Sequence, residues 1–168
     1  MTNIIDELEW RGAINQQTDS EGLREYVETN SISLYCGVDP TGDSMHIGHL
    51  IPFMMLKRFQ AFGHHPFILI GGATGTIGDP SGRTTERQLQ TMETVQHNVD
   101  SLTRQMEKLF AVDTDNTLTL VNNYDWTHNL TLLDFLRDFG KFFNINTMLA
   151  KDIVASRLET GISFTEFT

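Results

Sequence analysis

Two stretches of this 168-residue chain gather the residues whose types and spacing could do chemistry. In the first, His46, Gly48 and His49 stand where a helix is expected to begin, a place where free backbone N–H groups and the helix dipole favour an anionic ligand. Gly48 removes a side chain where a nucleotide could come close to the backbone, and the two imidazoles can donate hydrogen bonds to phosphate or ribose. In the second, Gly72, Gly75 and Gly78 lead into Asp79-Pro80-Ser81-Gly82. That spacing matches neither the P-loop nor the dinucleotide fingerprint, so kinase-like and NAD-binding readings have no support from it. Taken singly, each feature has a plainer reading: an arbitrary His-x-x-His is more often a helix start without function, and Tyr35 and Asp79 pass as packing and turn residues. Zinc needs at least three protein ligands and Cys36 is the only thiol, so no tightly bound metal is expected. Cys36 reads as a core residue, His64 and His65 as a solvated turn, and no Ser-His-Asp or Cys-His-Asn arrangement is visible.

The elements that must position these residues follow from periodicity and punctuation. Ser31 to Val38 is rich in strand formers and ends in the turn-like Asp39-Pro40-Thr41-Gly42-Asp43. From Ile47 to Phe62 apolar residues recur at helical spacing, with Gly63 as the stop. Pro66 to Ile70 is a continuous apolar run of the kind buried on both faces of a parallel sheet. A long polar helix is expected from about Thr85 to Phe110, then a strand over Leu118 to Val121, then helices near Leu132 to Phe139 and Met148 to Glu159 that stop at Gly140 and Gly161. Ahead of all this, Ile4 to Trp10 and a segment opened by a Thr18/Glu21 capping box and running to about Glu28 read as helices. The order predicts an α/β fold, a Rossmann-like parallel sheet with flanking helices, in one unit: a helical lead-in over 1–30, a β-α-β-α-β core over 31–122 and the start of a helical insertion over 123–168. Ligands of such sheets bind where loops leave the carboxyl ends of strands, so Tyr35 to His49 and Gly71 to Gly82 should face one crevice.

Composition narrows the classes. With 12 basic against 22 acidic residues the net charge is −10, and a surface of that sign repels a phosphate backbone, which argues against this chain being the main clamp on a nucleic acid. Met1 to Trp10 lacks the basic start and apolar run of a signal peptide, and no stretch approaches the ~18 apolar residues of a membrane span, so the expected location is cytoplasmic.

Read as a phrase, Leu34-Tyr35-Cys36-Gly37-Val38-Asp39-Pro40-Thr41-Gly42-Asp43-Ser44-Met45-His46-Ile47-Gly48-His49-Leu50 resembles the opening signature of bacterial-type tyrosyl-tRNA synthetases, with the His-Ile-Gly-His hallmark of class I. The resemblance continues through Gly71 to Gly75, Gly78 to Gly82, Asn122-Asn123-Tyr124-Asp125-Trp126 and Gly161 to Phe167, and so covers essentially the whole chain. It implies the N-terminal half of a class I catalytic domain that activates L-tyrosine with ATP and Mg²⁺ and transfers it to tRNA(Tyr). By the same resemblance Thr41 and His46 would contact the polyphosphate, and Cys36 and His49 would hold the ribose side. Gly37, Asp39 and Gly48 would shape the nucleotide pocket. Tyr35 would bond the substrate phenol, Thr74 and Asp79 would surround its ammonium group, and Asn123 would line the pocket less directly. Arg83 and Arg87 would meet the leaving pyrophosphate, with arginine at 83 where the family has lysine. The family is homodimeric, which implies apolar contacts through Phe142, Phe143, Leu149 and Phe164. Its members continue well beyond Thr168, so the chain alone is expected not to catalyse adenylation at a useful rate. The competing readings are a non-catalytic nucleotide-binding module and a tryptophanyl-type synthetase.

Overall fold

The computed structural model describes residues 3–77, 90–111, 116–150, 154, 158, 161 and 162. Helices α1 (Ile4–Trp10) and α2 (Ser20–Thr29) precede β1 (Ser33–Val38), α3 (Ile47–Ala61), β2 (His65–Ile70), α4 (Met92–Phe110) and β3 (Thr119–Asn122). Short helices α5 (Tyr124–Thr127), α6 (Leu132–Asp134) and α7 (Ile145–Leu149) follow. The three strands form one parallel sheet in the order β1-β2-β3, with Tyr35 opposite Phe67 and Leu69 opposite Val121. This is the α/β arrangement that the strand-helix alternation predicts.

Strand order explains which face is covered. Stepping twice in the same direction with crossovers of the same hand puts both connecting helices on one side of the sheet. Accordingly Phe53 and Leu56 of α3 and Val95, Val99, Leu102 and Met106 of α4 pack with Val38, Ile68 and Ile70 in a single core. β2 is therefore buried on alternate residues: Pro66, Ile68 and Ile70 point into that core, while Phe67 and Leu69 are half-buried on the opposite face. The expectation of a strand buried on both faces is corrected here; a continuous apolar run cannot tell a double-sided strand from one whose second face borders a hollow.

A second core joins the lead-in to α3 through Ile4, Ile5, Leu8, Val27 and Phe59. Asn3 caps α1, accepting from the N–H of Ile5 and donating to the carbonyl of Arg24, and Arg24 pairs with Asp6 and Glu9. The cap of α2 is Asp19, which accepts from Gly22 N–H at 2.8 Å; the Thr18 capping box is corrected by one position, since Asp caps at least as well as Thr. α4 begins only at Met92, with Thr91 as its cap and Gln90 outside the helix, so the expected start near Thr85 was too early. The expected helix at Leu132 to Phe139 is α-helical over its first turn only and continues as a π-turn over Phe135–Phe139. α7 opens at its Asn144 cap, ahead of the expected start at Met148, and Val154 and Leu158 are helical.

His64 is another correction: it is 4% exposed, not solvated, while His65 is exposed at the start of β2. The backbone N–H of Ile32 donates to His64 Nδ1 at 3.3 Å, and the ring lies against Phe59. Asn116 fastens the same corner, donating from Nδ2 to the carbonyls of Gln60 and His64. Burial, with His65 adding to it, lowers the pKa of His64. The unfolded chain then binds the extra proton first, so this contribution to stability is present above about pH 6.5 and is lost as pH falls from there through the lower pKa of the folded state. Urea unfolding should show lower stability at about pH 5.5 than at about pH 7.5, and the difference should shrink in His64→Gln. An unchanged difference would remove His64 from the account.

Candidate active site

The loops leaving β1 and β2 are stitched together by a directional chain of hydrogen bonds. Asn123 Nδ2 donates to Thr74 Oγ1 at 3.3 Å, and Thr74 Oγ1 donates to Asp39 Oδ1 at 2.8 Å. A hydroxyl has one proton to give, so accepting from the amide leaves its own proton for the carboxylate. The other end of Asn123 accepts from the N–H of Ala73 at 2.7 Å, and Asn122 Oδ1 accepts from Gly72 N–H at 3.1 Å. Asp39, Thr74 and Asn123, drawn from three separate segments, therefore meet at the carboxyl ends of the strands. Gly71 makes this possible sterically: a Cβ there would lie 2.2 Å from Asp39 Oδ1 and 2.4 Å from Thr74 Oγ1.

His46 and His49 open α3 as a reciprocal cap. His46 Nδ1 accepts from Gly48 N–H at 3.1 Å, and His49 Nδ1 accepts from His46 N–H at 3.2 Å. The rings stack with centroids 3.8 Å apart. Because both Nδ1 atoms are acceptors, the neutral rings carry their protons on Nε2, which leaves two N–H donors beyond those of the helix start itself. Burial, with His46 adding to it, lowers the pKa of His49, which favours that neutral form. Gly48 also serves the cap directly, for a Cβ would stand 3.0 Å from the His46 ring. This neutral donor pair beside a helix N-terminus suits an anion without needing a charged side chain.

On the sheet face opposite α3 and α4 lies a hollow of about 430 Å³ lined by Ser33, Leu34, Tyr35, Phe67, Leu69, Val121 and Trp126. Tyr35 is 71% exposed and Trp126 57%. Cys36, one residue on, packs instead against the helix-covered core. Desolvation raises its pKa and outweighs a backbone hydrogen bond at Gly37 that lowers it, so it stays a thiol. Gly37 pairs with Leu69 in the sheet, and Thr41 lies exposed in the loop beyond Asp39. The lining residues Phe67, Leu69, Val121 and Trp126 were not singled out from sequence, although two-residue alternation from Tyr35 through the register could have found the first three. Asp79, Arg83 and Arg87 lie outside the described residues, as do Gly78, Gly82 and Phe164. Among the described residues no three His, Cys, Asp or Glu side chains are gathered to hold a metal ion.

Comparison with known proteins agrees with this geometry. The family model for tRNA synthetases class I (W and Y) matches residues 27–168. Tyrosine–tRNA ligase 1 of Enterococcus faecalis (strain TX4000 / JH2-2) is 80% identical over 166 residues, 99% of this chain and 39% of that protein. Tyrosine–tRNA ligase 2 of Bacillus cereus (strain ATCC 10987 / NRS 248) is 77% identical over 166 residues, 99% of this chain and 40% of that protein. The chain thus spans about two-fifths of the length of these curated relatives. Among solved structures, a C-terminally truncated mitochondrial tyrosyl-tRNA synthetase of Aspergillus nidulans superposes with a TM-score of 0.86 at 34% identity, covering 100% of this chain and 51% of that one. With a parallel sheet, crevice loops and a histidine-capped helix in place, and the family model spanning most of its length, the chain belongs to the tRNA synthetases class I (W and Y).

Proposed function

We propose that this chain forms the ATP- and tyrosine-binding part of a tyrosine–tRNA ligase, the rest of the active site and the tRNA contacts coming from the remaining length present in its relatives. The observation that carries this reading is the Asn123-Thr74-Asp39 chain, which joins the loops after β1 and β2 at the strand ends beside the Tyr35 hollow. In the reaction the tyrosine carboxylate attacks the α-phosphorus of ATP, an O–P bond forms, and the bond to pyrophosphate breaks. The nucleophile is already an anion, so no general base is needed and the absence of a triad is no obstacle; catalysis lies in alignment and in stabilising phosphate charge. Mg²⁺ enters with ATP as part of the substrate. Thr41 and the Nε2 donor of His46 meet the polyphosphate, Arg83 and Arg87 the departing pyrophosphate, and His49 and Cys36 the ribose side. Gly37, Asp39 and Gly48 shape the nucleotide pocket. The tyrosine ring enters the hollow with its phenol toward Tyr35 and its ammonium toward Thr74 and Asp79, lined by Asn123.

The same reading makes the protein cytoplasmic and homodimeric; no helix among the described residues is long and apolar enough to cross a membrane. Residues 123–168 then begin a helical insertion whose Phe142 and Phe143, 78% and 58% exposed, present apolar surface for a second copy. Leu149 is half-buried beside them in sequence.

Calorimetry with Mg-ATP and L-tyrosine, on the chain alone and with the remaining length supplied in trans, tests the proposal. Tyrosine-dependent ATP–pyrophosphate exchange should appear only on complementation, with L-phenylalanine a poor substitute because its ring leaves the phenol partners unpaired. Nucleotide binding without amino acid preference under both conditions would favour a non-catalytic module instead.

A further inference from the structure

Three side-chain amides carried by α4 and the residue just ahead of its cap have no role in the chemistry above, yet all of them end on one short stretch of backbone. Asn98 Nδ2 donates to the carbonyl of Pro40 at 2.9 Å and also to Gln90 Oε1 at 3.3 Å. Gln90 Nε2 donates to the carbonyl of Thr41 at 3.1 Å. Gln105 reaches the far end of the loop, donating from Nε2 to the Asp43 carbonyl at 3.2 Å and accepting from the Met45 N–H at 3.1 Å. The stretch from Pro40 to Met45 lies between Asp39, fixed by Thr74, and His46, the cap of α3. It belongs to no strand or helix, so its backbone groups have no ladder of their own to close.

Placement of Asn98 and Gln105 on α4 is not what packing alone would select. Asn98 is 4% exposed on the apolar face, flanked by the buried Val95, Val99 and Leu102. Burying an amide there is unfavourable unless it is hydrogen-bonded, and an apolar residue would fill the same space without that cost. Asn98 and Gln105 are seven residues apart, two helical turns, and so project from the same side of α4 toward the loop. Both ends of the Gln105 amide are used on the loop, which holds it in register as well as in place.

We infer that Gln90, Asn98 and Gln105 are positioning residues: they clamp the Pro40–Met45 backbone to α4 and thereby preset Thr41 and His46 for the polyphosphate in the transition state. The inference rests on the ligase reading. The three residues touch no substrate; they act by keeping the loop from sampling positions in which the phosphate-contacting groups are misaligned, and a misplacement of about 1 Å can cost on the order of 100-fold in rate.

The test uses Gln105→Met and Gln90→Met, both half-buried positions where length is kept and the amide is lost, in the ligase complemented to full length. Single-turnover tyrosyl-adenylate formation should slow by about 10- to 100-fold with the KM for ATP changed by less than about threefold, because an interaction felt mainly in the transition state lowers kcat and leaves KM nearly alone. Hydrogen exchange at the Met45 amide should lose protection in Gln105→Met while the α3 amides keep theirs. If the wild-type protein activates tyrosine and the variants do so at the wild-type rate, the clamp is overturned and the ligase reading stands. A rise in KM together with a general loss of protection would likewise overturn it, as a merely structural effect. Should the complemented wild type form no adenylate, the ligase reading fails and the inference falls with it.

Discussion

Replacing His46 by asparagine is expected to leave the fold intact while the complemented ligase loses about 10²- to 10³-fold in tyrosine activation, the range for removing one preorganised donor to developing charge. The structure separates two jobs of this side chain. Its Nδ1 accepts from the N–H of Gly48 and so caps α3, and asparagine does that well. The opposite nitrogen carries the proton that, in the proposed function, is offered to the phosphates, and asparagine does not reach as far. His46→Ala loses both, and should lower stability by a further 0.5–2 kcal/mol or so, as expected for a lost cap. ATP–pyrophosphate exchange beside a thermal melt reads the two effects separately. An asparagine variant with wild-type exchange would show that the imidazole serves the helix alone.

The second large effect is expected at Gly71. Its added methyl in Gly71→Ala would overlap Asp39 Oδ1 and Thr74 Oγ1, which are themselves hydrogen-bonded at 2.8 Å and cannot part without breaking the chain to Asn123. Gly71 is buried at the end of β2, so the loop has little freedom to yield. Overpacking of this kind costs about 1–3 kcal/mol, and each kcal/mol should lower Tm by roughly 2–4 °C in a chain of this size. Activation should fall by about 100-fold as the joined loops separate. A double-mutant comparison sharpens the test: Asp39→Ala removes the atom the methyl strikes, so the two changes together should destabilise by less than their sum. Strict additivity in the melts would mean that Gly71 and Asp39 do not meet as described.

The elements of the core were legible in the one-dimensional pattern, because helical and strand periodicities are local and glycine and proline punctuate them. The run from Ile47 to Gly63 shows this, with Gly63 at a φ of +87° where the helix stops. Errors clustered where a local signal has two physical outcomes. Thr18 and Asp19 are both good caps, and only the first-turn geometry of α2 selects the second. His64 beside His65 looks solvated until Phe59 at the end of α3 and, from a distant segment, the Ile32 N–H close over it.

By itself, then, the chain of residues determined the order of strands and helices, the two loops that the proposed chemistry uses and the family to which they belong. Tertiary structure decided the rest: that Asn123 and Asp39 share one threonine hydroxyl, that both crossover helices cover the same face and leave Tyr35 beside an open hollow, and that amides from α4 hold the loop before His46. These are contacts between residues 35 to 62 positions apart along the chain. No local periodicity encodes them, because a hydrogen bond is directional and short-ranged, and its partners are chosen only once packing has brought separate segments within about 3 Å of each other.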